Sequence, residues 1–283
     1  MVACAERPPR APGPVVPVPP AARPRTVGIL GGMGPAAGAD FVRLFVQACT
    51  ARMQALGLPV TDQAYPEHWL AQVPVPDRTA ALQNGSPGAH QPGDALLQAT
   101  GRLAALGAQV LAIACNTAHA WHGLLQARFP HLQVLHAVRE VATVLGVQGV
   151  QRVGLLATEG TYRTGLYPQP LQRAGIVCVE PGAAHRALLM RGIYDGVKAG
   201  DLPLARRCFA EVSRALGEEG GAQMLILGCT EIPLALDAAD AGVPLLNPAQ
   251  VLAEALAREA YAPAAGLPAV LHQPQRAGLA TIR

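Results

Sequence analysis

Lysine is almost missing from this chain: of 22 basic residues one, Lys198, is a lysine. Aromatic residues make up 4% and charged residues 14%, which leaves neither the basic face nor the stacking platforms that nucleic-acid binding uses. The formal charge is +3, and residues 1–25 account for it with four Arg against one Glu, so the remainder is neutral. No apolar run reaches the roughly 18 residues of a membrane span. Met1–Arg10 has no apolar h-region, so no secretory signal is read and a soluble, cytoplasmic protein is expected. The C-x-x-C spacing of structural zinc is absent, and no metal site is expected. Six cysteines in 283 residues, placed in a reducing compartment, do not form a disulfide framework.

What the chain does have is apolar content, 51% of its residues, enough for one large or two medium domains. Residues 1–25 hold eight prolines, which remove backbone donors and predict an extended tail. Residues 264–283 lack a clear period and are read as a second tail. Between them, Val27–Leu30, Val110–Ala114, Val153–Ala157 and Met224–Leu227 read as buried parallel strands, each feeding a helix. The fold class is therefore α/β.

These runs repeat in the same order. Val27-Gly28-Ile29-Leu30-Gly31 corresponds to Val153-Gly154-Leu155-Leu156-Ala157, and Gly107–Leu111 corresponds to Gly221–Leu225. The second match runs on into Ala114-Cys115-Asn116-Thr117 and Gly228-Cys229-Thr230-Glu231. A third pairs Val134-Leu135-His136-Ala137 with Leu245-Leu246-Asn247-Pro248, each opening an amphipathic helix. The pattern predicts two similar parallel-sheet domains related by a pseudo-two-fold axis, with the active site in the cleft between them. The expected boundaries are 26–133 and 134–242, with a C-terminal helix at 243–263 joining the first.

In open α/β sheets ligands bind beyond the carboxyl ends of the strands. Cys115 and Cys229 occupy equivalent strand ends, so a two-fold relation would bring them to one ligand from opposite sides. Inverting a stereocentre needs that arrangement, with one group removing a proton from one face and another delivering a proton to the other. A helix N-terminus lowers a thiol pKa, so a thiolate and a thiol are expected to coexist near neutral pH. Cys49, Cys178 and Cys208 are read as small buried hydrophobes. Asn116, Thr117 and Thr230 have two readings: with exposed backbone N–H groups they hold a substrate carboxylate, or they cap their helices.

His119, four residues after Cys115, has the spacing of a metal pair or a Cys–His nucleophile, but the helix is expected to carry it away from the cleft. The turn Gly28–Pro35 misses the G-x-G-x-x-G spacing of dinucleotide binding, and Pro35 suits a first helical turn. Lys198 is a candidate for a distal carboxylate, the alternative being a cation on a solvated helix end. A pyridoxal enzyme would need this same lysine for its Schiff base, and no phosphate cup is evident around it. Arg78, in Pro76-Asp77-Arg78-Thr79, offers a planar fork for a carboxylate.

Five segments in order, Gly28–Pro35, Pro76–Thr79, Cys115–His119, Met190–Lys198 and Gly228–Glu231, resemble the aspartate/glutamate racemase family, its aspartate racemase branch in particular. The likeness spans about Thr26 to Leu256. It implies a cofactor-independent racemase, usually a homodimer, that interconverts L- and D-aspartate with Cys115 and Cys229 as its catalytic pair. It also implies that Met33, Arg78, Asn116, Thr117, Lys198 and Thr230 surround the substrate, and that a helix near Pro248–Arg258 crosses back onto the first domain. Asn247 stands where the family commonly has Asp, and Pro66–Gln72 is less apolar than its usual strand. Glutamate or a broader amino-acid range is the alternative substrate. A hydrolase built on Cys115 and His119, or a non-catalytic amino-acid-binding protein, are the competing classes.

Overall fold

In the computed structural model, residues 23–84 and 92–263 are described. The Pro-rich stretch up to residue 22 and the residues after 263 lie outside them. Among the described residues, eight strands form two four-stranded sheets. The first contains β1 (Val27–Gly31), β2 (His68–Gln72), β3 (Val110–Ile113) and β4 (Gln133–Val134) in the order β2-β1-β3-β4. The second contains β5 (Arg152–Ala157), β6 (Val177–Val179), β7 (Met224–Gly228) and β8 (Leu245–Leu246) in the order β6-β5-β7-β8. Every pairing is parallel, and the two orders are the same once β5 is laid on β1.

The repeat read in the sequence is thus a repeat of backbone, and its glycines show why it was kept in register. Gly28 pairs with Leu111 and Gly154 with Leu225. A Cβ at Gly28 would lie 2.9 Å from Leu111 Cδ1, and one at Gly154 would lie 2.5 Å from Leu225 Cδ2. Each central strand therefore gives up a side chain so that a leucine of its neighbour can lie over it.

Alternation along the strands decides what covers each face. Val27, Ile29, Val110 and Ala112 face the helix Pro35–Ala55, through Phe41, Phe45 and Cys49, and the helix Pro248–Ala260, through Leu252, Leu256 and Ala260. Leu30, Leu111 and Ile113 face the helix Pro92–Ala105, through Leu96, Ala99 and Leu103, and Leu125 of the helix His122–Arg128. Around the second sheet, Val153, Leu155, Leu225 and Ile226 pack with Phe209 and Val212 of the helix Leu202–Glu218. Val138, Val141 and Leu145 of the helix Ala137–Val147 belong to the same buried cluster.

The helices that follow the fourth strand of each sheet are therefore exchanged. Ala137–Val147, which leaves the first sheet, packs on the second, and Pro248–Ala260, which leaves the second, packs on the first. Residues Pro24–Ala262 form a single compact unit as a result. Asn247 opens the last helix, its Oδ1 accepting the Ala249 N–H at 3.0 Å, so the amide performs the capping that an aspartate would. Strand β2 is an edge, with Trp69 and Leu70 38% and 36% exposed, which accounts for its weak apolar pattern. Among the described residues no helix is long and apolar enough to cross a membrane.

Candidate active site

Cys115 stands two residues beyond β3 and Cys229 one residue beyond β7. Since β3 and β7 hold the same place in their sheets, the equivalent strand ends deliver both side chains to one narrow cavity. All eight residues singled out from the sequence line it: Cys115, Cys229, Met33, Arg78, Asn116, Thr117, Lys198 and Thr230. Thr79, Thr158, Ile193, Tyr194 and Glu231 complete the wall. Thr79, Ile193, Tyr194 and Glu231 lie within segments that the resemblance marks, without a role read for them, and Thr158, outside those segments, is legible from the repeat. It follows β5 as the glycine turn follows β1, so the repeat marks it as a strand-end position. The repeat does not mark Ile193 and Tyr194, which reach the cavity from a π-helical segment, Gly192–Lys198, that periodicity does not reveal.

The glycine turn forms one side of the cavity. Gly32 has φ +90°, and a Cβ there would meet the backbone of Val73 at 2.3 Å, so the turn can lie against the chain leaving β2. Pro35 occupies the start of the following helix, as its fixed φ allows. The Arg78 guanidinium ties this turn in place: Nη2 donates to Met33 O at 2.8 Å, and Nη1 to Val75 O and Pro76 O at 3.1 and 3.2 Å. Arg78 Nε is buried and takes no protein acceptor among the described residues.

The side chains of Asn116, Thr117 and Thr230 do not cap helices, whereas Thr158 caps its own by accepting the Thr161 N–H at 3.3 Å. Cys115 is followed by a short 3-10 turn, Thr117–Trp121, for which Asn116 supplies no side-chain cap. Asn116 Oδ1 instead accepts a hydrogen bond from the buried Tyr167 hydroxyl. Thr117 Oγ1 shares hydrogen bonds with Thr158 Oγ1 at 2.9 Å and Thr161 Oγ1 at 3.0 Å. After Cys229 there is a 3-10 turn of three residues, Ile232–Leu234. The expected lowering of the thiols by a helix start is outweighed: neither turn is an α-helix, and although the Ala118 and Glu231 N–H groups lower Cys115 and Cys229, burial exceeds them. Burial pushes both thiols up, and they differ in their neighbours: the Arg78 charge opposes the rise at Cys115, whereas the Glu231 charge adds to it at Cys229.

Glu231 is the carboxylate at the centre of this site. Its Oε1 accepts the Gly34 N–H at 3.1 Å and faces Lys198 Nζ at 3.2 Å. Its Oε2 accepts from Cys229 Sγ at 3.0 Å and from Thr230 Oγ1 at 3.2 Å. Burial alone would raise its pKa, but the Lys198 charge and the hydrogen bonds outweigh that and hold it below the usual carboxylate range. Lys198, with its side chain 31% exposed, thus points at the cavity and not along a solvated helix end.

His119 is buried and turned from the cavity. Its Nε2 accepts the Ala137 N–H at 3.1 Å, which fixes the proton on Nδ1, where it is shared by Cys115 O at 2.9 Å and Asn116 O at 3.2 Å. Both ring nitrogens serve the backbone and neither can activate a thiol. Among the described residues no group of three or more His, Cys, Asp or Glu is placed to hold a metal ion.

The sequence pattern of the Asp/Glu/Hydantoin racemases matches residues 30–256. Over 133 residues the chain is 34% identical to a glutamate racemase of Pseudomonas paraeruginosa, covering 45% of this chain and 47% of that one. It is 24% identical over 233 residues to a broad specificity amino-acid racemase of Bacillus subtilis, covering 81% of this chain and 95% of the relative. The chain spans about half the length of the first curated relatives it matches. Among solved structures, Picrophilus torridus aspartate racemase is similar with a TM-score of 0.68 and 28% identity, over 83% of this chain and 94% of that one.

Proposed function

Because the chain belongs to the Asp/Glu/Hydantoin racemase family, we propose that it interconverts the L and D forms of an acidic amino acid, aspartate first, by proton transfer between two cysteines and without a cofactor. One observation carries this reading: Cys115 and Cys229, delivered by equivalent ends of two similar sheets, line one cavity that also holds a lysine, an arginine and several hydroxyls. In the reaction, one sulfur removes the Cα proton as a thiolate and the other, as a thiol, protonates the opposite face. The likeness to an aspartate racemase over 94% of its length supports aspartate, and glutamate remains the second reading through the curated relatives.

The surrounding residues have distinct tasks. Lys198 answers the distal carboxylate of the substrate, and Arg78 offers its unpartnered Nε while its other nitrogens keep the Met33 turn in place. Asn116, Thr117 and Thr230, with the N–H groups of their turns, hold the carboxylate at the reacting end, and Met33 packs against the substrate stem. A thioester mechanism with a Cys–His pair has no base to use, since His119 is committed to the backbone. The protein is read as acting in the cytoplasm as a homodimer. The test is incubation of each enantiomer of aspartate and glutamate in deuterated water without added cofactor. Deuterium at Cα together with the opposite enantiomer is the expected result; exchange with none of the four would end the acidic amino-acid racemase reading.

A further inference from the structure

The two sulfurs that share the cavity do not share an environment. Cys229 Sγ donates to Glu231 Oε2 at 3.0 Å, and the carboxylate it meets is filled by three other donors, Thr230 Oγ1, the Gly34 N–H and Lys198 Nζ. Such a carboxylate has no need to take up a proton. Among the described residues no carboxylate lies at hydrogen-bond distance from Cys115, which shares the cavity wall with the Arg78 guanidinium, whose charge acts on it and whose buried Nε has no acceptor. We propose that Glu231 sets the direction in which the cysteine pair is loaded, keeping Cys229 as the thiol and leaving Cys115 to supply the thiolate in the resting site. The proposal rests on the racemase reading and assigns Glu231 a positioning role, acting through Cys229.

The charges facing each sulfur agree with this. Burial raises Cys229 first, and Glu231 raises it further through charge and hydrogen bond; Cys115 adds to the rise from across the cavity, and Tyr167, itself pushed up by burial, is a neutral neighbour. Lys198 lies on the far oxygen of Glu231 and stabilises the carboxylate in preference to the sulfur. At Cys115 burial also dominates, with Arg78 opposing it and Glu231 contributing a smaller rise. The proton count is simple. Cys115 thiolate takes the Cα proton and becomes a thiol, while Cys229 gives its proton to the opposite face and becomes a thiolate. That thiolate then stands 3.0 Å from a carboxylate oxygen. It is the stronger base of the two, and after product leaves, it regains a proton from water while Cys115 returns one.

The test is iodoacetamide alkylation of the full-length protein from pH 6 to 10, with each cysteine followed separately by peptide mass spectrometry. Wild-type protein is expected to show Cys115 alkylated with the lower pH midpoint. In Glu231→Gln the Cys229 midpoint should fall by about one unit or more, the usual effect of removing an adjacent like charge, while Cys115 moves less; Glu231→Asp should restore much of the wild-type order. Should the basic limb of the kcat/KM profile fall with the Cys229 midpoint, the two readouts agree. A wild-type Cys229 midpoint at or below that of Cys115, or unmoved midpoints in folded Glu231→Gln, would overturn the proposal. If Glu231→Gln does not fold, the wild-type order and Glu231→Asp decide alone. Because alkylation needs no turnover, the expected order in a protein that exchanges no amino-acid proton would sink the racemase reading and leave the loading of the pair intact. Turnover without that order would do the reverse.

Discussion

The Tyr194 hydroxyl donates to Asp77 Oδ2 at 2.8 Å, a bond between the segment that carries Lys198 and the turn that carries Arg78. It lies at the rim of the cavity, outside the two cysteines. Asp77 adjoins Arg78 and Tyr194 lies one turn before Lys198, so the bond fixes the distance between the two positive groups. Tyr194→Phe is expected to raise KM for an acidic substrate by up to about tenfold, the worth of one hydrogen bond near solvent, with little change in kcat. A fall in kcat with KM unchanged would place Tyr194 in the chemistry instead.

Cys115→Ala and Cys229→Ala should each abolish racemisation, because inversion needs a proton partner on both faces. Loss of a general acid–base group costs roughly 10²–10⁴-fold. Chiral separation of the products measures it. Each single variant is expected to retain some exchange of one enantiomer's Cα proton in deuterated water, which identifies the face that the remaining sulfur serves.

Lys198→Met tests substrate selection. A charge-assisted contact is worth roughly 1.5–3 kcal/mol, so kcat/KM for the acidic amino acid should drop about 10–150-fold while neutral amino acids change far less. Equal losses for both classes would mean that Lys198 does not read a second carboxylate. Lys198 is also the single lysine of the chain, so a pyridoxal absorbance lost in this variant would replace the cofactor-free reading.

Three histidines behind Cys115 predict an acid limit to stability. His119 and His136 have ring centroids 5.1 Å apart and His122 and His136 4.7 Å apart. Burial, with some mutual repulsion, lowers His119 to about 4 and His136 to about 3. In the unfolded chain these rings take up protons near pH 6.5. Between that value and their folded pKa values the unfolded state binds more protons, so stability is full above about pH 6.5 and is lost as pH falls toward 4 and then 3. The melting temperature should decline over this window, and His136→Asn should flatten the decline. A melting temperature constant from pH 7 to 4 would contradict the burial of these rings.

The cap at Asn247 gives a smaller test. Asn247→Ala should cost about 1 kcal/mol of stability and Asn247→Asp close to nothing, measured by urea unfolding.

The sequence was most legible where the fold repeats itself. Three of the four strand correspondences came from paired runs, and the cysteines at the ends of β3 and β7 followed from them. The fourth, β2 with β6, left no trace, because both strands expose residues such as Trp69 and Val177, whereas β4 and β8, also at edges, run straight into buried helix starts that repeat. Residues placed by the family resemblance, Met33 and Thr230 among them, line the cavity with the cysteines. Glu231 was visible as a polar neighbour of Cys229, but its contacts were not. Its partners Gly34 and Lys198 are 197 and 33 residues away in the chain, and no local pattern encodes a hydrogen bond to either. The environment of the thiols was misjudged for a related reason: a residue after a strand predicts a helix N-terminus, while the three-dimensional neighbours that decide a pKa come from elsewhere.

The exchange of helices between the sheets has a consequence for synthesis of the chain. The apolar face of β1 and β3 is closed by Leu252, Leu256 and Ala260, so the first sheet to leave the ribosome waits for nearly the last helix before its core is dry. Contacts that bridge so much intervening chain carry a loop-closure cost and slow folding. Nascent chains halted before residue 248 should therefore expose the Val27, Ile29 and Val110 surface to chaperones and proteases, even with every residue of the first sheet already made.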